Sequence, residues 1–329
     1  MKTLEDNQHR RIDYLRISIT DRCNLRCRYC MPEHGIPLLS HNQILTYEEI
    51  IKIVKIFVNN GIKKIRITGG EPLVRKNIEN LIAKISSIEG VKDLGLTTNG
   101  VLLKELSKKI YDAGLNRINI SLDSLHPGVF ESITRRPYFY KVWDGIMEAI
   151  KTGFDPIKIN VVVIRGVNDT EIPNFLRLAM DFPLVVRFIE YMPIGENNDW
   201  SYEKVMPVKE IKNIIENYVR LEPLQPNEYG GPAQRFAIYP SKGEIGFISP
   251  VSEHFCDRCN RLRLTADGKI RTCLFSDDEI DLKPALKDET PEKSLLNLLK
   301  QALQRKPPHH NIVPFMIKKC QRFMNSVGG

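Results

Sequence analysis

From Leu15 to Tyr191 short β-branched runs alternate with stretches of helical period, and each run is followed by turn residues. Leu15–Ile19, Lys64–Thr68, Asp93–Thr97, Arg117–Ser121, Ile157–Val163 and Leu184–Phe188 read as six strands. Helices are predicted between them, starting at Thr46 and near Ile78–Ile88, Leu103–Asp112, Trp143–Thr152 and Ile172–Met180. The first is the best marked: Thr46 and Glu49 make a capping box, Ile50, Ile53, Val54 and Phe57 line one face, and Asn60-Gly61 ends it. Strand-helix alternation of this kind builds a parallel sheet through right-handed crossovers, here an open, partial TIM-like β/α barrel.

The strands carry a second pattern. Parallel strands covered on both faces read as continuous apolar runs, yet these alternate. With a period of two, Arg16 and Ser18 share a face, as do Arg66 and Thr68, Asn119 and Ser121, and Lys158 and Asn160; Ile65, Ile67, Ile118, Ile120, Ile157 and Ile159 point the other way. The apolar face must meet the helices, so the polar face lines the lumen. Burying that many cations costs several kcal/mol per ion unless anions or water accompany them.

Beyond about Glu222 the texture changes to Pro- and Gly-rich turns and short hairpins, Phe236–Tyr239 with Ile245–Ile248 and Arg261–Thr265 with Lys269–Cys273 across Asp267-Gly268. The chain therefore divides into a barrel, residues 1–221, and a smaller C-terminal region, residues 222–329, with one helix near Pro291–Gln304 and no strong pattern after it. A total of 329 residues has room for both.

Composition narrows the class. Hydrophobic residues are 42% and charged residues 27%, the usual range for a folded globular chain. No apolar run is long enough to span a membrane and Met1–Arg11 lacks the apolar core of a signal peptide, so a cytoplasmic protein is expected. The seven cysteines are an odd number and tightly clustered, which favours metal or cluster ligation over disulfides. A formal charge of +8 suits a polyanionic partner, but no block of five or six basic residues marks a nucleic-acid arm.

Cys23, Cys27 and Cys30 directly follow the first strand. Structural zinc is usually held by four protein ligands, whereas three thiolates around an iron–sulfur cubane leave one iron open for a ligand. A zinc site completed by His34 is the alternative. Cys256, Cys259 and Cys273 form a second triple, with the turn at Asp267-Gly268 bringing Cys273 back; zinc completed by His254 is the alternative there. Arg261 and Arg263 share strand parity with Cys259, a pairing suited to bidentate phosphate binding. Cys320 reads as a small buried hydrophobe. His126, before Pro127, and the His309-His310 pair read as solvated loop residues.

The run Cys23-Asn24-Leu25-Arg26-Cys27-Arg28-Tyr29-Cys30 resembles the signature of radical S-adenosylmethionine (SAM) enzymes, and Gly69-Gly70-Glu71-Pro72 resembles the same superfamily's motif for the methionyl amino group. A Gly-Gly pair alone is also what a tight turn with positive φ requires. Together with Leu15–Arg22, Ile65–Pro72, Leu96–Gly100, Asn119–Asp123 and Arg187–Glu190, these segments resemble the GTP 3′,8-cyclase family, molybdenum-cofactor biosynthesis protein A, from about Arg10 to the end.

That resemblance implies two [4Fe–4S] clusters, one on Cys23, Cys27 and Cys30 and one on Cys256, Cys259 and Cys273. It implies SAM against Tyr29, Gly70, Ser121 and Met192, and GTP held by Arg16, Arg66, Thr97, Lys158, Arg261 and Arg263. It further implies cyclisation of GTP as the first step of molybdenum-cofactor synthesis, with the radical chemistry carried by the cofactors and no catalytic side chain assigned. The terminal Gly328-Gly329 pair would enter the active site; without the resemblance it reads as a frayed end. A flavodoxin- or ferredoxin-like reductant, a homodimer, and cyclic pyranopterin monophosphate synthase as the next enzyme are implied as partners, with neither membrane nor nucleic acid among them. A radical SAM enzyme that modifies a peptide, and a zinc-bearing nucleic-acid-binding protein, are the competing readings.

Overall fold

The computed structural model describes residues 3–195, 199–226, 231–310 and 320–328. Six strands appear as the alternation predicts: β1 Tyr14–Ser18, β2 Lys64–Thr68, β3 Asp93–Thr98, β4 Arg117–Ser121, β5 Ile157–Val163 and β6 Leu184–Glu190. The helices that follow them include α1 Tyr47–Asn59, α2 Ile78–Ser86, α3 Leu103–Asp112, α4 Pro127–Thr134, α5 Phe139–Thr152 and α6 Ile172–Asp181. At α1 the Glu49 amide donates to Thr46 Oγ1 at 3.1 Å and the Thr46 amide to Glu49 Oε2 at 2.8 Å, so the capping box is formed.

Two helical stretches differ from the sequence expectation. The loop predicted around His126-Pro127 is the start of α4: His126 occupies the N-cap position, and Pro127, which has no N–H to lose, opens the first turn. Helix α5 begins at Phe139 rather than Trp143, because Phe139 is buried against Phe130 and stacks on Trp143.

The isoleucine face is sealed against these helices: Ile65, Ile67, Ile118, Ile120 and Ile159 have no exposed surface. Each contributes about 1.5–3 kcal/mol by leaving water, which makes the opposite, polar face the only one that can point inward.

After α7 Val208–Glu216 come β7 Leu221–Pro223, β8 Gln234–Ile238, β9 Glu244–Ile248, β10 Arg261–Leu264, β11 Lys269–Arg271 and β12 Glu279–Asp281, then α8 Lys283–Leu286, α9 Pro291–Gln304 and α10 Met324–Val327. Both predicted hairpins form, β8 with β9 and β10 with β11. Neither makes a sheet of its own. Strand β10 pairs in parallel with β1 and β9 in parallel with β6, giving one open sheet in the order β12-β11-β10-β1-β2-β3-β4-β5-β6-β9-β8-β7. No helix among the described residues is long and apolar enough to cross a membrane.

Two buried ionic groups tie this C-terminal chain to the barrel. The carboxylate of Glu190, fully buried at the end of β6, accepts the amides of Val208, Val251 and Ser252, each at 2.9 Å, and the Ser252 hydroxyl. It thus caps the start of α7 and turns the chain after β9 towards Cys256. Arg10 donates to the Cys256 carbonyl at 2.8 Å and to the Pro307 and Pro308 carbonyls at 2.7 and 2.9 Å, and pairs with Asp6. Replacing Glu190 with alanine leaves the buried amide of Val208 and the half-buried amides of Val251 and Ser252 without their acceptor. The variant should lose about 3 kcal/mol of stability or more, read as a lower urea midpoint; an unchanged midpoint would show that water replaces the carboxylate at no cost.

Candidate functional site

One cavity opens at the lumen, and its wall includes all six clustered cysteines, Tyr29, Gly70, Ser121, Met192, Arg16, Arg66, Thr97, Lys158, Arg261 and Arg263. Every described residue that the resemblance assigns to a cluster, SAM or GTP, apart from the tail glycine, therefore lines a single space, whereas His34, the alternative zinc ligand, is not on its wall. The two cysteine triples lie on different elements: Cys23, Cys27 and Cys30 in the loop after β1, Cys256 and Cys259 just before β10, and Cys273 just after β11.

Cross-strand register arranges the cations. Arg263 on β10 is opposite Arg16 on β1, which is opposite Arg66 on β2. One pair below, Arg261 faces Tyr14, which faces Lys64. Like charges directly opposite one another are destabilising, and burial adds to the cost. Lys158 is held down at about 6 by burial, then by Arg187, Arg117 and Arg66. Burial, with Arg66 beside it, lowers Arg187 to about 9, and burial with Arg16 beside it depresses Arg263. Among the described residues the buried Nε atoms of Arg66 and Arg187 find no hydrogen-bond acceptor in the protein. Among the described residues the carboxylates on the cavity wall are Glu71 and Asp123, which belong to the end near Cys23. The arrangement fits a polyanion on the arginine side.

Gly95 makes the ladder possible. It stands opposite Arg66 on β3, and a Cβ there would meet the Arg66 guanidinium at 1.9 Å. The arginine lies flat across the strand because that residue has no side chain.

At the other end, burial and mutual repulsion push the thiols up: Cys23 to about 11, through burial and Glu71, and Cys27 and Cys30 strongly, through burial and the neighbouring cysteines. Three thiolates there need a cationic centre, and three thiolate donors suit an iron–sulfur cubane with one iron open. Among the described residues no three His, Cys, Asp or Glu side chains are arranged to hold a single metal ion. The Tyr29 hydroxyl donates to Asp123 Oδ2 at 2.6 Å, fastening the cysteine loop to the end of β4. Gly69 and Gly70 are not at positive φ, so the turn explanation fails. Their need is close approach, since a Cβ on Gly70 would lie 2.3 Å from the Arg22 carbonyl oxygen, and the amides of Gly70 and Glu71 donate to the Thr20 and Arg22 carbonyls at 2.6 and 2.7 Å. The Gly-Gly pair thereby stitches the second strand to the cysteine loop.

The second triple is electrostatically different. Burial raises Cys256, whereas at Cys259 the effect of burial is outweighed by Arg261 and Lys306, which bring the thiol down to about 6. Thus Cys259 in the second set is matched to nearby cations, whereas burial prevails at all three thiols of the first.

Several wall residues escaped the sequence reading. Tyr14, Lys64 and Arg187 line the cavity; the period-two rule applied to β1 and β2 places Tyr14 with Arg16 and Lys64 with Arg66, so a signal existed. His310, expected in a solvated loop, is buried on the wall with Nε2 2.8 Å from the Pro250 carbonyl, while His309 is exposed. Cys320 is buried, as expected, and contacts the Leu274 carbonyl. The Gly328 carbonyl accepts from Arg16 Nε at 3.2 Å and from Arg263 Nη1, which brings the tail to the arginine ladder; Gly329 lies outside the described residues.

Residues 17–179 match the Radical SAM superfamily and residues 184–312 match Molybdenum Cofactor Synthesis C. A GTP 3′,8-cyclase of Thermodesulfovibrio yellowstonii is 52% identical over 306 residues, 92% of this chain and 94% of that one. One from Moorella thermoacetica is 47% identical over 99% of this chain and 100% of that one. The chain belongs to the GTP 3′,8-cyclase family. Molybdenum cofactor biosynthesis protein 1 of Mus musculus is 46% identical over 93% of this chain and 48% of its own length. In three dimensions the chain resembles Streptococcus suis SuiB bound to its precursor peptide, with a TM-score of 0.63 at 14% identity, covering 89% of this chain and 67% of that one; this likeness is one of fold. Superfamily membership brings SAM and a [4Fe–4S] cluster with it, and the donor set at Cys23, Cys27 and Cys30 fits that cluster.

Replacing Gly95 with alanine should displace the Arg66 guanidinium from the ladder. Titration calorimetry with inorganic tripolyphosphate should then show affinity about tenfold weaker, equivalent to about 1.4 kcal/mol; unchanged affinity would mean that Arg66 does not contribute to anion binding.

Proposed function

We propose that this chain converts GTP to (8S)-3′,8-cyclo-7,8-dihydroguanosine 5′-triphosphate, the first step of molybdenum-cofactor biosynthesis. The observation that carries the reading is the in-register ladder Arg263, Arg16 and Arg66 on the wall shared by the two cysteine triples. A triphosphate supplies the negative charge this ladder calls for, and bidentate guanidinium contacts would fix its orientation. A peptide-modifying radical enzyme has no use for such a ladder, and a nucleic-acid binder would carry its cations in a surface stripe.

Cys23, Cys27 and Cys30 would hold the cluster that, with SAM, supplies a 5′-deoxyadenosyl radical for abstraction of the ribose 3′ hydrogen. Tyr29, Gly70, Ser121 and Met192 would seat SAM, with Tyr29 held by Asp123. Arg16, Arg66, Thr97, Lys158, Arg261 and Arg263 would hold GTP. Cys256, Cys259 and Cys273 would hold a second cluster facing guanine. The chain's own task is positioning and exclusion of water, because a primary carbon radical reacts with any misplaced C–H. Gly328, whose carbonyl meets Arg16 and Arg263, would close the arginine end of the cavity. On this reading residues 1–221 hold the first cluster and SAM, residues 222–329 hold the second cluster, and both contribute residues to the GTP site. A flavodoxin- or ferredoxin-like reductant, a homodimer, a cytoplasmic setting and cyclic pyranopterin monophosphate synthase as the consumer of the product belong to the same proposal, supported by family membership.

The deciding assay is anaerobic purification with iron and sulfide analysis, then incubation with SAM, dithionite and GTP. Expected are about eight irons per chain, as two [4Fe–4S] clusters require, together with 5′-deoxyadenosine and a product isomeric with GTP. Zinc in place of iron would overturn the reading, and SAM cleavage that leaves GTP unchanged would favour the peptide modifier.

Lys158 gives an independent check. With its ammonium held at about 6, the amine is neutral at pH 8, and a triphosphate beside it restores the charge. Binding should therefore take up to about one proton, and affinity should fall as pH rises above about 6. Calorimetry of GTP binding in two buffers of different ionisation enthalpy reads the uptake directly. Lys158→Met should abolish it, and uptake that persists in this variant would assign the proton elsewhere.

A further inference from the structure

We infer that Lys306 is a positioning residue that tunes the redox potential of the second cysteine centre, an inference that rests on the proposed cluster at Cys256, Cys259 and Cys273. Lys306 lies two residues beyond α9 with only 3% of its surface exposed. A buried ammonium must spend its three donors, and here all three are directed at this centre. Nζ lies 2.7 Å from the Thr272 carbonyl, 3.0 Å from the Arg261 carbonyl and 3.6 Å from Cys259 Sγ. The two carbonyls belong to the residue before Cys273 and the residue two after Cys259, so a single side chain fastens the ends of β10 and β11 that carry two of the thiols.

The segment bearing Lys306 is itself held. The carbonyls of Pro307 and Pro308 accept from Arg10, which also donates to the Cys256 carbonyl. His310 anchors the other end through Pro250. Residues 306–310 therefore form a strap across the centre, and Lys306 is the cation that this strap aims at a ligating sulfur. The corresponding loop at Cys23, Cys27 and Cys30 shows a different contact: Cys23 Sγ accepts from the neutral amide of Asn99 at 3.7 Å.

Hydrogen bonds to cluster sulfurs and nearby charge set reduction potential. One-electron reduction adds a negative charge to the cluster, and an N–H donor carrying positive charge at the Cys259 sulfur stabilises that form more than the oxidised one. Lys306 thus raises the potential of the second centre, and its removal makes the reduced centre a stronger donor.

The test uses the full-length holoprotein as wild type, Lys306→Met and Lys306→Arg, with iron analysis and an anaerobic redox titration followed by electron paramagnetic resonance. A Cys27→Ser variant assigns the signal of the first centre. The expected result is about eight irons in all three, with the second centre's reduction equilibrium at least tenfold less favourable in Lys306→Met, about 59 mV lower for one electron. Lys306→Arg should stay near wild type, and the first centre should not move. Equal second-centre potentials in wild type and Lys306→Met overturn the tuning while leaving the cluster reading intact, as does loss of the second centre from both variants alike, which would make Lys306 a packing residue. About four irons in the wild type would instead overturn the cluster at Cys256, Cys259 and Cys273 itself.

Discussion

Crowded positive charge inside the sheet is the constraint on which the rest of the structure depends. Arg263, Arg16 and Arg66 stand side by side on neighbouring strands, with Arg187 and Lys158 across the lumen, and each pays for burial in a low-dielectric interior. The fold tolerates this because the opposite face of the same strands is continuous buried isoleucine against the helices, so the stability comes from one face and the function from the other. Partial relief is built in: Lys64 and Arg117 share the fully buried carboxylate of Asp93, at 3.3 and 3.0 Å. Elsewhere on this face the Nε atoms of Arg66 and Arg187 find no acceptor among the described residues, so the face is suited to a substrate that brings its own negative charge.

Closing the cavity is a long-range task. The barrel's first strand contributes only part of the ladder, and the rest arrives on β10, after the chain has passed through five further βα units. Arg10 reaches a carbonyl 246 residues away and Arg16 one that is 312 residues away. Arg322 pairs with Asp267 and Glu279, Glu279 pairs with the fully buried Arg271, and this network holds the final segment beside the β10–β11 hairpin. The tail and the second cysteine triple are therefore parts of one assembly, and both are positioned by ion pairs and caps between chain segments whose separation in sequence gives no warning of the contact.

Much of this was legible in the residues themselves. Six strands and the capping box at Thr46 follow from local period and end signals, and the polar lumen from the parity of Arg16, Arg66, Asn119 and Lys158. Cysteine spacing marked both triples, the first because three thiols a few residues apart on one loop converge, the second because the turn at Asp267-Gly268 returns Cys273 to Cys256 and Cys259. Where the reading stopped short, the missing information was spatial. His310 looks like a loop residue between prolines and is buried because the strap it belongs to crosses the cavity wall. Gly69 and Gly70 look like a turn, yet they are small because another loop's carbonyls lie against them.

The sequence by itself determined the alternation of elements and the polarity of each strand face, since each is a property of a contiguous segment with a fixed geometric period, and it displayed the two groups of cysteines. Only the tertiary structure decided that the C-terminal hairpins join the barrel sheet at its two edges, that Gly95 makes room for Arg66, and that Lys306 meets Cys259. Those depend on strand register and close packing between distant segments, and register is set by how whole faces fit together, which no local window contains.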